Sequence, residues 1–169
     1  MIGALIATLT LPAAADTYWP SESDIVTPTA RGLSVASEDG TARAEIPFGT
    51  GFQDTMHGLI GIFGWEVDVT FPQECGAGPM VSADWPRDIT LMFENDRFAG
   101  WFLGTGDLLS TDSGLWHGAP TSNLTTPGGV SFFESGLGTE FDSAGLYGLL
   151  TEDGARVEAI WTGVNCIFR

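Results

Sequence analysis

Residues Ile89 to Gly104 and Tyr147 to Gly163 follow one plan: an apolar run, a Glu, a short polar turn, an Arg, then a run that carries Trp and closes on Gly. Arg97 and Arg156 lie 59 positions apart (156 − 97), as do Gly104 and Gly163 (163 − 104), so the second halves align without a gap. Fixed spacing of this kind predicts one supersecondary unit used twice. The turns predict that the unit is an antiparallel hairpin. Asp153-Gly154 suits a type I′ turn, which needs positive φ at both central residues. Asn95-Asp96 suits it less well, Asn and Asp being the side chains that best tolerate that region.

Two-residue turns would fix the register. Phe93 would then face Phe98, Leu91 would face Gly100 and Ile89 would face Phe102, on the core side. In the second copy Leu150 would face Val157, Gly148 Ala159 and Leu146 Trp161. That register places Met92 and Trp101 of the first hairpin, and Tyr147 and Ile160 of the second, on the opposite face. These four residues are the candidate binding face, since a contiguous exposed apolar patch marks an interaction surface. A strand with one wet face should alternate more cleanly, so part of this second face is expected to be covered.

The chain begins with an uncharged apolar run, Ile2 to Leu11, broken by Pro12 and followed by Ala13-Ala-Ala15. The alanines match an A-x-A cleavage pattern, so residues 1–15 read as a signal peptide, although the usual basic residues before the run are missing. A buried N-terminal strand or helix is the competing reading. Export implies a periplasmic or extracellular location. The whole charge, −16 from 22 acidic residues, six Arg and no Lys, would belong to the exported part. A balance this acidic argues against nucleic acid and anionic membranes; it reads first as a solvated acidic surface, and any protein partner it selected would be basic. No later stretch is long and apolar enough to form a transmembrane segment. Cys75 and Cys166 are the only cysteines, and in an exported chain an even count points to a disulfide.

Residues 16–40, rich in Ser, Thr and Pro, read as an irregular N-terminal arm. Residues 41–105 form the first repeat unit and 106–169 the second, within one structural domain. In the first unit Ala42–Phe48 alternates as a strand. Met56, Leu59, Ile60 and Phe63 then share one helical face, with Asp54 as cap and Gly64 as stop. Trp65–Phe71 alternates as a strand. In the second unit Thr121–Thr126 stands in the helix position, Val130–Phe133 reads as a strand and Gly136–Asp142 as a loop. The fold class is therefore α+β, mostly antiparallel β: two tandem repeats, each a short helix packed on an antiparallel sheet.

Pro47-Phe-Gly-Thr50, Glu74-Cys-Gly-Ala-Gly-Pro79, Leu137-Gly-Thr-Glu-Phe141 and the C-terminal Ile160–Arg169 together resemble an uncharacterised family of exported bacterial proteins. The resemblance implies organisation and export, and no reaction. The second unit departs from the pattern at Trp116-His117, and at Pro127, which shortens its expected helix to a turn or two. At the level of fold alone the units are distantly similar to the SmpA/OmlA outer-membrane assembly lipoproteins and to the β-lactamase inhibitory proteins, a likeness that carries no function across.

The sequence holds no G-x-S-x-G, H-E-x-x-H or C-x-x-C, so no catalytic residue, metal ligand or cofactor site is nominated. His57 and His117 are isolated. Glu140 and Asp142 would share a side of an extended stretch, but a glycosidase pair normally comes from separate strands. Asp107, Asp112 and Glu140 lack the spacing of a calcium loop. Two functions remain: a non-catalytic binding or inhibitory module of the bacterial envelope, and a small hydrolase-like enzyme with a carboxylate-lined pocket between the repeats. A broad exposed aromatic surface favours the first; a cleft of converging carboxylates favours the second.

Overall fold

The structure, a computed structural model, describes residues 20–72, 74–85, 89–104, 106, 109–126 and 128–167. The expected signal peptide lies outside them. Eleven strands and one helix are found among these residues. Strands β1 (Ile25–Thr29), β2 (Gly32–Ala36) and β3 (Ala42–Pro47) form a small antiparallel sheet. Helix α1 (Phe52–Phe63) follows. Strands β4 (Asp68–Thr70), β5 (Val81–Trp85), β6 (Ile89–Glu94) and β7 (Arg97–Leu103) form one meander. Strands β8 (Ser131–Ser135), β9 (Gly138–Ser143), β10 (Leu146–Leu150) and β11 (Val157–Gly163) form another. The meanders join through β7 and β11 into one eight-stranded sheet, ordered β4-β5-β6-β7-β11-β10-β9-β8. The α+β, mostly antiparallel class expected from the sequence is the observed one.

The arm expected to be irregular over 16–40 becomes a hairpin from Ile25 onward. Val26, Leu33 and Val35 alternate inward and are buried, and Pro28 is tolerated because β1 is an edge strand. Gly32 allows the tight return: a Cβ there would lie 2.2 Å from the Ile46 carbonyl oxygen. The small sheet and α1 cover one face of the long sheet, and their side chains join a single core. Phe52 packs edge-on to Phe93 at 4.7 Å and Phe48 to Phe98 at 5.0 Å. The expected helical face is the one that packs, with Met56 and Leu59 buried. Gly64 stops the helix as expected, its N–H donating to the Ile60 carbonyl. The cap differs: Gly51 holds the N-cap without a side-chain bond, and Asp54 sits in the first turn, where the helix dipole favours its charge. In the second half only a 3₁₀ turn, Thr121–Asn123, occupies the corresponding place.

Three stretches pair differently from expectation. Only Asp68–Thr70 of the Trp65–Phe71 run joins the sheet. The strand expected at Val130–Phe133 runs from Ser131 to Ser135. Gly136–Asp142 is not a loop: Gly138 to Ser143 form β9, with Phe141 turned into the core. A fully buried Glu140 beside it hides the alternation from the sequence.

The register differs from expectation for one reason, a bulge in each hairpin. Asn95 and Asp96 both have positive φ (50° and 59°), so the first turn is of the expected kind, and Phe93 pairs with Phe98. The ladder then shifts between Met92 and Phe93, so that Leu91 pairs with Trp101 and Thr90 with Phe102. The second hairpin closes through a longer loop, in which Thr151 and Arg156 bond each other. Leu150 pairs with Val157, the ladder shifts, and Gly148 then pairs with Ile160. A slip of one residue exchanges the faces of everything beyond it.

The two hairpins are tethered by matching bonds. The N–H of Gly49 donates to the Phe98 carbonyl (2.7 Å), that of Phe98 to Thr50 (2.8 Å), and that of Phe52 to Asp96 (2.8 Å). On the other side Gly118 donates to Val157 (2.7 Å), Val157 to Ala119 (2.8 Å) and Thr121 to Ala155 (3.0 Å). The Arg97 guanidinium donates to the Gly49 carbonyl and that of Arg156 to the Gly118 carbonyl, each at 2.8 Å.

Candidate functional site

The four residues of the expected binding face are not brought together. Trp101 and Ile160 are in the core, each 0 % exposed, because the bulges turn them inward. The Trp101 indole N–H donates to the Thr29 carbonyl at 2.9 Å and so ties the small sheet to the long one. Met92 stays on the opposite face but is half-buried, while Tyr147 is there and exposed. The bulges bring Phe102 and Trp161 to that face in their place. They pair across the β7–β11 seam, with ring centroids 6.3 Å apart and planes at 20°.

This second face is partly covered, as the weak alternation implied. After β11 the chain turns back over the seam, where the Val164 N–H donates to the Ala99 carbonyl at 2.9 Å. The Asn165 amide donates to the Thr162 carbonyl at 2.7 Å. Cys166 is joined to Cys75 in a disulfide, with the Cα atoms 5.1 Å apart and 91 positions between them. The bridge anchors the C-terminal segment to the loop before β5. A loop of that length stabilises by roughly 4–5 kcal/mol in the chain-entropy model. Beneath the segment Trp161 is almost fully buried, and a shallow cavity of about 340 Å³ opens between Tyr147, Trp161, Asn165 and Ile167.

The carboxylates do not converge there. Glu140 pairs with Leu149 in the ladder and is fully buried, where it is engaged by a polar contact. Asp142, next on that face, accepts the Gly145 N–H at 3.3 Å, so it serves the β9–β10 turn. Asp107 lies outside the described residues. A larger cavity, about 580 Å³, opens on the small sheet beside Arg31, Glu45 and Asp112. Both of its acids are exposed, whereas a general acid needs a desolvated setting. Two exposed acids have a pKa held below the ordinary carboxylate value, and both build turns. Asp39 is lowered from 3.8 to about 2, chiefly by the Ser37 hydroxyl and then by the Thr41 N–H. Asp153 is lowered first by the Thr151 hydroxyl, then by the Ala155 N–H. His57 is exposed on α1, and His117 is half-buried beside Trp116. Among the described residues no group of three or more His, Cys, Asp or Glu could hold a metal ion.

Among the described residues, the exposed aromatic side chains other than Tyr147 lie at the two ends of the long sheet. Trp65 and Phe71 flank β4, and Phe132 and Phe133 sit on β8 with Leu137 in the turn after it. The sequence reading missed the β8 group, yet it held a signal. Neighbouring residues of a strand point to opposite faces, so Phe132 and Phe133 cannot both reach one core. With no strand beyond β8 among the described residues, Phe132 remains 52 % and Phe133 40 % exposed. No protein-family model, curated protein or solved structure matches this chain.

Proposed function

We propose that this chain is an exported binding or inhibitory module of the bacterial envelope, periplasmic or extracellular, rather than an enzyme. The observation that carries the reading is the exposed aromatic pair on the terminal strand β8. Exposed aromatics favour interface formation, and the sheet edge adds unpaired main-chain groups that a partner can use. The acids of the described cavities and turns, by contrast, are solvated or occupied in holding the backbone.

The module is a duplicated unit on this reading. The matching tethers of Arg97 and Arg156 and the bulge in each hairpin support it. So does the seam, where Phe102 and Trp161 pair at the same 59-residue spacing (161 − 102) that relates the two arginines. Duplication joins two meanders into one sheet that, among the described residues, ends on β4 and β8.

The test is affinity capture from the native envelope or culture fluid, using wild type and the double variant Phe132→Thr/Phe133→Thr. A protein retained by wild type and lost by the variant supports a binding module that uses this edge. Turnover of an envelope substrate, with the same activity in both proteins and no retained partner, contradicts it.

A further inference from the structure

Edge strands are usually blunted by shortness, Pro, charged side chains (Lys above all), a bulge or a covering element, and the one charge on β8 is Glu134. β4, at one end of the sheet, has three residues. β8, at the other, has five, four of them exposed, with no Pro or Lys among them. Its register with β9 runs unbroken from the Ser131–Asp142 pair to the Ser135–Gly138 pair. In an antiparallel ladder alternate residues turn their N–H and C=O groups away from the partner strand, so β8 presents a regular set outward.

Side chains add a pattern to that edge. Phe132 and Glu134 project from one face of β8, Phe133 from the other. The Thr139 hydroxyl donates to the Glu134 carboxylate at 2.7 Å, which fixes the charge along the strand. The chain as a whole carries −16 and has no Lys. A second copy would bring the same excess of negative charge to the edge, whereas a cationic segment is attracted to it.

We infer that β8 takes an extended segment of a basic partner protein as a ninth strand. The added strand runs antiparallel, like every pair in this sheet. Read from its N-terminus, it presents Lys or Arg opposite Glu134, then apolar side chains opposite Phe133 and Phe132. Main-chain bonds hold the segment, while the charge and the two phenyl rings select it. This inference rests on the binding-module reading and names the partner and the contact.

The probe is a labelled, end-capped peptide with the core Thr-Lys-Val-Val-Thr, read by fluorescence anisotropy. Two controls accompany it: the same peptide with Glu in place of Lys, and one N-methylated on the amides that face β8. The Lys peptide is expected to bind about tenfold tighter than the Glu peptide at low salt, with the advantage shrinking as salt rises. Glu134→Arg should invert that preference, Phe132→Thr/Phe133→Thr should weaken binding at an unchanged melting temperature, and N-methylation should abolish it. Equal affinity for the Lys and Glu peptides, or a preference that survives Glu134→Arg, overturns the inference. So does a concentration-dependent dimer that Phe133→Thr dissolves, because the occupant is then a second copy. If the peptides fail while a captured envelope protein still depends on Phe132 and Phe133, the ninth-strand inference falls and the binding module stands. If nothing is captured either, both fall.

Discussion

Phe102 of β7 and Trp161 of β11 face each other across the seam of the long sheet, their rings stacked 6.3 Å apart. The pair stands on the side away from α1, and the C-terminal segment closes over Trp161. Its neighbours in sequence, Trp101 and Ile160, point the other way into the core. The bulge in each hairpin decides which residue of each dipeptide faces which way, and the mutational consequences follow from that.

Trp101→Ala should lower unfolding free energy by about 3–5 kcal/mol, as truncation of a core aromatic does. It also removes the indole that donates to Thr29. Tyr147→Ala, on the opposite face and exposed, should cost about 1 kcal/mol or less. Denaturant titration of both variants checks the faces directly; equal costs would mean that the bulge is misplaced.

The backbone at the seam leaves no room for a side chain at Gly163. Its φ is 71°, and an added Cβ would lie 2.2 Å from the Ala99 carbonyl oxygen. Gly163→Ala should therefore cost at least about 1–3 kcal/mol. Gly76→Ala, with nothing within 4 Å, should be close to neutral in the same thermal melts.

The bridge between Cys75 and Cys166 should be recovered as a linked pair in non-reducing peptide mapping of the folded protein. Replacing both cysteines with Ser should lower stability by about 2–5 kcal/mol. It should also raise hydrogen exchange in residues 164–167, which the bridge holds against the sheet. Two free thiols in the folded protein, purified without reductant, would contradict this placement of the C-terminal segment.

Asp39 supplies a pH signature. Its folded-state pKa is depressed to about 2, so the stability it contributes is present above the ordinary value of 3.8 and is lost as the pH falls through about 2. The melting-temperature difference between wild type and Asp39→Asn should be constant near neutrality and should close as the pH drops from about 4 to about 2. The effect is small, because the group is fully exposed and the turn is at the surface.

Hairpin positions, the helical face, the disulfide and the antiparallel class were legible because each depends on local spacing or on a small count. Asn95-Asp96, the Met56–Leu59 stripe and a pair of cysteines are signals of that sort. The faces beyond the turns were not legible. A bulge depends on how the longer loop closes at Thr151 and Arg156, and on the crossing of β7 and β11 at Gly100 and Gly163. Those are contacts between distant residues, and one extra residue in a ladder reverses every side chain after it. The strands at 25–36 were hidden by Thr27, Pro28, Thr29 and Ser34, which read as loop; the edge position of β1 admits Pro28, and the three hydroxyl residues take half-buried positions. The β8 edge was hidden differently: its two phenylalanines look like core until the strand order puts β8 at the end of the sheet.

Amide hydrogen exchange of β8, free and with the captured partner or the Lys peptide, tests the binding account most directly. Residues 131–135 should gain strong protection on binding while α1 and the seam at Phe102 and Trp161 change little. Protection that appears instead over Tyr147 and residues 164–167, with β8 exchanging as in the free protein, would contradict the account and move the site to the covered face.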